Sequence, residues 1–230
     1  MSESRARIDT HGMKRFLITT ALEDTWIDNE PVLFLGEWCR LYSRRQRWSS
    51  MDGEVLPWHW HDQDQFHSDY QYLRNFYERA LVLLAQQLNH AHNIDREVRY
   101  WRILVGPWLA RFIQTLFDRW SSIQRAVTRY EISGTIIRTG QADIVAPSDM
   151  QQLGLLMAGD EWNHQIYSVI LERFTEVPCV KKAVASVRPS PKTARVGRRQ
   201  RVAASYTRLV SGFVNDRDAF LIGTYLPALD

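Results

Sequence analysis

Val32-Leu33-Phe34-Leu35 is an unbroken apolar run closed by Gly36. A strand with one face in water alternates apolar and polar side chains, so a short run without alternation predicts a strand buried on both faces. Strands of that kind belong to parallel sheets, whose crossover connections lay helices over the sheet. Phe16-Leu17-Ile18, ending in Thr19-Thr20, has the same form, as does Ile103-Leu104-Val105 ending in Gly106-Pro107. Phe220-Leu221-Ile222 repeats it near the end of the chain.

Between these runs the period changes. Tyr70, Leu73, Tyr77, Leu81, Leu84 and Leu88 recur at three and four, which predicts a helix over about 69–91. Pro107 suits a first helical turn, and Trp108, Phe112, Leu116, Trp120 and Ile123 give the apolar face of a helix over about 107–127. Ser148 with Gln151, behind Pro147, has the pattern of a capping box. Gly159 interrupts that helix, and Asp160 is placed to cap another carrying Trp162, Ile166, Val169, Ile170 and Phe174. The stretch 178–201, with Pro189 and Pro191, is the weakest for regular structure, and a last helix resumes near Val202. The expected class is α/β, a mainly parallel sheet with helices on both faces. Because the chain stops eight residues after its last apolar run, it reads as a truncated product.

The 230 residues, 45% of them hydrophobic, suffice for a full core. No apolar leader occupies the first fifteen residues and no run approaches the roughly 18 apolar residues of a membrane span, so a cytoplasmic protein is expected. Two cysteines, Cys39 and Cys179, are too few for a disulfide framework and suit a reducing compartment. The net charge of +3 is local in origin: eight of the 29 basic residues lie in Lys181–Arg201, which holds no acid. That stretch has no interleaved aromatics and matches no nucleic-acid module, and is expected to be a solvated loop or linker. No nucleic-acid partner and no cofactor are expected.

In open parallel sheets ligands bind outside the carboxyl ends of the strands. Thr19, Thr20, Gly36 to Trp38 and Gly106 to Trp108 are the residues that would line this edge. Neither G-x-G-x-x-G nor a P-loop is present, and no Gly-x-Ser-x-Gly elbow supports a covalent nucleophile. Trp58-His59-Trp60-His61-Asp62 is the densest polar-aromatic cluster. Extended, it would point His59 and His61 to one side as metal ligands must, but a third ligand at matching spacing is missing, which leaves a substrate-contacting loop or partly buried rings. Asp160 and His164, four apart, would share a helix face, either as an acid/base pair or as an N-cap with a surface histidine bonded to it. Arg99 and Arg102 flank apolar residues and require an anion, from a ligand or from Glu37 or Asp118. Asp118-Arg119 also reads as a local surface ion pair.

Beyond these patterns, "FLITTALEDTW", "PVLFLGEWCRLYSR", "PWHWHD", "RYWRILVGPWL", "FDRW" and "GDEWNHQIY", in this order, resemble the N-terminal half of the transferase family of bacterial O-antigen and surface-polysaccharide biosynthesis clusters. The similarity is close over Lys14–Phe174 and returns at "FLIGTYLP". In the family the cluster at His59 more often reads Tyr-His-Trp-Asp-Asp; Trp58 and His61 depart from it, which favours His59 for a role. The resemblance implies sugar transfer on a two-domain glycosyltransferase scaffold of facing Rossmann-like halves. It divides the chain into a polar tail (1–13), a Rossmann-like domain (14–177), a basic loop or linker (178–201) and a C-terminal helix with the start of a further strand (202–230). A glycan or lipid-linked glycan acceptor is then the expected partner, with a nucleotide-sugar donor only where a second domain is present. Candidate catalytic groups are Glu37, His59, Asp160 and His164. Candidate binding residues are Thr19, Thr20, Gly36, Trp38, Trp60, Arg102, Gly106 and Trp108. The implied setting is the cytoplasm, at the periphery of the inner membrane.

Overall fold

Phe16, Leu17 and Ile18 in β1 (Arg15–Ile18) and Val32, Leu33 and Phe34 in β2 (Val32–Phe34) are all buried, as unalternated runs require. A computed structural model of the chain describes residues 14–140 and 146–184. After β2 come α1 (Arg45–Trp48), β3 (Gly53–Val55), α2 (Gln63–His92), α3 (Val98–Leu104) and α4 (Gly106–Arg129). They are followed by β4 (Ile132–Thr139), α5 (Met150–Met157), α6 (Asp160–Phe174) and β5 (Cys179–Ala183), with 3₁₀ turns at Glu23–Thr25, Glu37–Cys39, Tyr42–Arg44 and His59–His61.

The five strands are all parallel, in the order β3-β2-β1-β4-β5. Phe16 pairs with Val32 and with Gly134, so β1 is central, and the order reverses between β1 and β4. This is the α/β, Rossmann-like arrangement, with its topological switch point at that reversal. The chain steps one way across the sheet from β1 to β3 and the other way from β3 to β5. Right-handed crossovers therefore put the two sets of connections on opposite faces. The long helices α4 and α6 fall together on one face. The other face is covered by α1 and 3₁₀ turns.

Ile123 and Ala126 of α4 and Trp162, Ile166, Tyr167, Ile170 and Leu171 of α6 join the strand residues in a single core cluster. Each fully buried Leu or Ile contributes about 1.5–3 kcal/mol. From the β1–β2 connection, Trp26 meets Phe34 edge-on at 5.8 Å and donates its indole N–H to Thr20 O at 3.0 Å.

The expected strand at Ile103–Val105 is not formed. Ile103 and Leu104 end α3, where they are 69% and 56% exposed, and the Val105 N–H donates to Trp101 O at 2.8 Å. Three consecutive apolar residues fit a helix end as well as a strand, and Pro107 in the first turn of α4 separates two helices. Three strands had no such run to mark them. The edge strand β3 is three residues long and half exposed, and β4, Ile-Ser-Gly-Thr-Ile-Ile-Arg-Thr, carries inward polar groups such as Thr135, whose hydroxyl donates to Leu17 O at 2.9 Å. Cys179–Ala183, expected to be loop, is the strand β5.

Helix ends also differ from expectation. Asp62 caps α2, accepting from the Asp64 and Gln65 N–H groups, so this helix starts earlier than its apolar stripe. The cap of α5 is Asp149, one residue past Ser148, and accepts from the Gln152 N–H at 2.7 Å. Gly159, not Asp160, occupies the N-cap of α6. The tail 1–13, most of the basic stretch, the helix near Val202 and the run Phe220–Ile222 lie outside the described residues.

Candidate functional site

Past β2 the chain runs through Leu35 to Gly36 and turns at Glu37–Cys39. A Cβ at Gly36 would lie 2.2 Å from the Trp38 ring, so only glycine lets this indole fold back over the strand end. The indole N–H of Trp38 donates to Thr19 O at 3.0 Å, which ties the ends of β1 and β2 together. Beneath it the Cys39 thiol donates to Ile18 O at 3.4 Å, and burial pushes its pKa up to about 12. Past β3 the chain continues through Leu56-Pro57-Trp58 into the turn His59–His61.

Between these two strand ends and α4 lies a cleft of about 520 Å³. Its walls include Gly36, Glu37 and Trp38 from one side and Trp58 and His61 from the other, with Asp118 and Arg119 of α4 behind them. The cleft opens at the carboxyl ends of β2 and β3, the edge where parallel sheets receive ligands.

Asp118 organises the back wall. It is buried, accepts the Trp58 indole N–H at 3.1 Å and is ion-paired with Arg119. Arg119 also donates to the Asn163 side chain at 2.9 Å, joining α4 to α6. His59 Nε2 stands 3.6 Å from Asp118 Oδ1, too far for a hydrogen bond, and neither ring nitrogen of this buried side chain has a hydrogen-bond partner. Burial pushes the His59 pKa down against the pull of Asp118 and Asp69, which favours the neutral ring. Next to it, the Trp60 indole N–H donates to Asp69 at 2.9 Å, and Gln65 donates to the same carboxylate at 2.8 Å. Glu37 is exposed at the mouth and chelates the Arg40 guanidinium at 2.7 Å.

Of the residues expected at a ligand edge, Gly36, Glu37 and Trp38 line the cleft, while His59 and Trp60 lie behind its wall. Within the pentapeptide from Trp58, His59–His61 form a 3₁₀ turn rather than an extended segment; His59 is enclosed and the exposed His61 reaches the cleft. Among the described residues no group of His, Cys, Asp or Glu side chains is placed to hold a metal ion.

Thr19 and Thr20 are buried at the end of β1. Asp160 and His164 close the switch point there, as neither a pair nor a surface histidine. Asp160 accepts the Ala21 N–H at 3.2 Å. His164 is 1% exposed, with Nδ1 at 3.3 Å from the Thr19 hydroxyl and Nε2 accepting the Arg138 N–H at 3.1 Å. Burial, with Arg138 beside it, pushes its pKa down to about 4.

Arg102, Gly106 and Trp108 belong elsewhere, because the strand that would have brought them to the edge is helix. Asp118 is twelve residues beyond Gly106 on α4, about 18 Å along the axis. Arg102 pairs with Glu78 at 2.6 Å, not with Glu37 or Asp118, Gly106 packs under the Tyr77 hydroxyl, and Trp108 stacks on Phe112 at 4.9 Å. Asp118 is the residue that sequence reading undervalued: its pair with Arg119 is largely buried, not superficial. The available signal was the row Thr115, Asp118 and Ser122, polar residues spaced three and four along α4 and all buried.

The cleft thus combines a solvent-facing carboxylate, a buried carboxylate with its guanidinium, an imidazole and two indoles. Such a set can bind a polar, ring-bearing molecule and take a proton from a hydroxyl group. No curated protein and no solved structure gives a significant match to this chain. A family model does match, over residues 15–230, which takes in every element from β1 to β5, and the chain belongs to the family it describes, the LIC12162 family transferases.

Proposed function

We propose that this transferase moves a sugar in the assembly of bacterial surface polysaccharide, O-antigen included, and that the described domain holds the glycan acceptor. One observation carries the reading: exposed Glu37 lines one cleft with Trp38 and Trp58 at the carboxyl edge of a Rossmann-like sheet. Glu37 is the base that accepts the proton of the acceptor hydroxyl, while the two indoles wall the sugar ring. Asp118 positions Trp58 through its indole N–H, and His59 backs Asp118. The oxygen so activated attacks the anomeric carbon of a nucleotide sugar, and the nucleotide departs with the bonding electrons. The donor is held outside this domain, in keeping with the lack of a phosphate-binding glycine loop in the sequence. The reaction takes place in the cytoplasm on a glycan or lipid-linked glycan.

Transfer of sulfate or phosphate would need an anion pocket at Arg99 and Arg102, and Glu78 already occupies Arg102. Calorimetric titration of the chain with nucleotide sugars and with lipid-free glycan acceptors tests the proposal. Acceptor binding without nucleotide binding is expected; micromolar nucleotide affinity would overturn the placement of the donor. In a turnover assay Glu37→Gln should lower kcat about 10²–10⁴-fold with acceptor affinity retained. Acceptor binding with no turnover to lose would favour a non-catalytic glycan-binding role.

A further inference from the structure

The cleft does not end at Trp58. That indole meets Trp60 edge-on at 5.6 Å, and Trp60 touches Phe66 at 5.7 Å and stacks on Phe117 at 6.5 Å. Phe117 in turn contacts Tyr72 at 5.7 Å and Trp120 at 6.1 Å. Four of these six rings are strongly exposed: Trp58 and Trp120 at 43%, Phe66 at 50% and Tyr72 at 51%. They form one track from the cleft wall across the surface shared by α2 and α4.

Two features distinguish this track from an unpaired hydrophobic face. First, both of its leading indoles are pinned by carboxylates, Trp58 by Asp118 and Trp60 by Asp69, and both carboxylates are themselves buried. Burying a carboxylate is costly, and here it fixes the angle of rings at a surface instead of filling a core. Secondly, the helix segment beneath the rings, Asp62–Tyr72, contains three aspartates and three glutamines and no lysine or arginine. The three glutamines and the exposed Asp62 and Asp64 beside the rings can hydrogen-bond uncharged hydroxyls. Rings held in place with hydrogen-bonding groups at their margins suit the apolar C–H faces and hydroxyl edges of pyranose units.

We propose that Trp58, Trp60, Phe66, Tyr72, Phe117 and Trp120 form an extended platform for a neutral saccharide chain whose terminal unit lies in the cleft. The inference rests on the acceptor reading given above and adds the part of the acceptor that is recognised: several sugars, not the terminal one alone. The test is a tryptophan-fluorescence titration with lipid-free oligosaccharides of the source cell's surface polysaccharide, from one to eight units. The wild-type chain should bind longer oligosaccharides more tightly. Tyr72→Ala and Trp120→Ala should weaken binding of the longest about tenfold and leave the monosaccharide unchanged. If Trp120→Ala is misfolded by circular dichroism, Tyr72→Ser supplies the comparison.

Equal affinity at every length, with the monosaccharide still bound, would overturn the platform and spare the cleft. No binding at any length would sink both. If phosphatidylglycerol vesicles bind the wild type and the same substitutions abolish that binding, the platform is a lipid surface and the proposal is wrong. Self-association seen by sedimentation and lost in these variants would equally reassign the rings to a second copy of the chain.

Discussion

His164 bridges two strands through bonds that need it neutral. Its Nε2 accepts the backbone N–H of Arg138 on β4, so Nε2 carries no proton, and Nδ1 faces the Thr19 hydroxyl beyond β1. With a folded pKa of about 4 against 6.5 for the free side chain, the unfolded state takes up the proton first as pH falls. This contribution to stability is fully present above pH 6.5 and is lost as the pH falls to 4, amounting to about 3 kcal/mol. Urea denaturation at a series of pH values should show that decline, and His164→Gln should flatten the curve over the same window. A slope unchanged in the variant would assign the acid sensitivity to other groups. The sequence placed His164 on the right helix but gave no sign of its partners, because Thr19 and Arg138 lie 145 and 26 positions away. Glu37 was legible for a simpler reason: it directly follows a glycine-terminated strand, and the end of a parallel strand is where a ligand edge begins.

Among the elements, the turn after β2 has the most direct consequence. Gly36 is extended, with φ −178°, a conformation open to any residue, so Gly36→Ala would by itself stabilise the chain by roughly 0.4–1 kcal/mol through the unfolded state. The added methyl instead displaces the Trp38 indole and breaks its bond to Thr19 O, worth about 1 kcal/mol, together with its packing. A net loss of stability in thermal melts, accompanied by weaker acceptor binding, is therefore expected; a gain would mean that Trp38 is not seated as described. How far each element could be read depended on what defines it. Strands β1 and β2 and helices α2, α4 and α6 announce themselves by unbroken or periodic burial. Gly53-Glu54-Val55 is a strand only because Val32–Phe34 offers it an edge, with Val32 N–H bonded to Asp52 O at 2.8 Å. Nothing local records that. The run Ile103–Val105 misled for the converse reason: its composition suits a strand, while Val98, Trp101 and Val105, spaced three and four, belong to a helical turn.

At the scale of the molecule, the buried members of the core cluster among the described residues lie between Phe16 and Leu171. The described residues all fall within one compact unit. A chain ended at Ser186 should then unfold in a single cooperative transition with the near-ultraviolet dichroism of its buried tryptophans intact, and a broad, featureless melt would refute this. Among the described residues no helix is long and apolar enough to cross a membrane. The strand order has a further consequence, in time. β1 acquires β2 almost at once, but its other neighbour, β4, lies more than a hundred residues downstream; Thr135 reaches Leu17 O across 118 positions. At the usual 5–20 residues per second of synthesis, the central strand waits roughly 6–24 s with one hydrogen-bonding edge and its apolar side chains uncovered. A nascent chain stalled within α4 thus presents an open β edge to chaperones and to other chains, and that edge closes only when β4 has emerged.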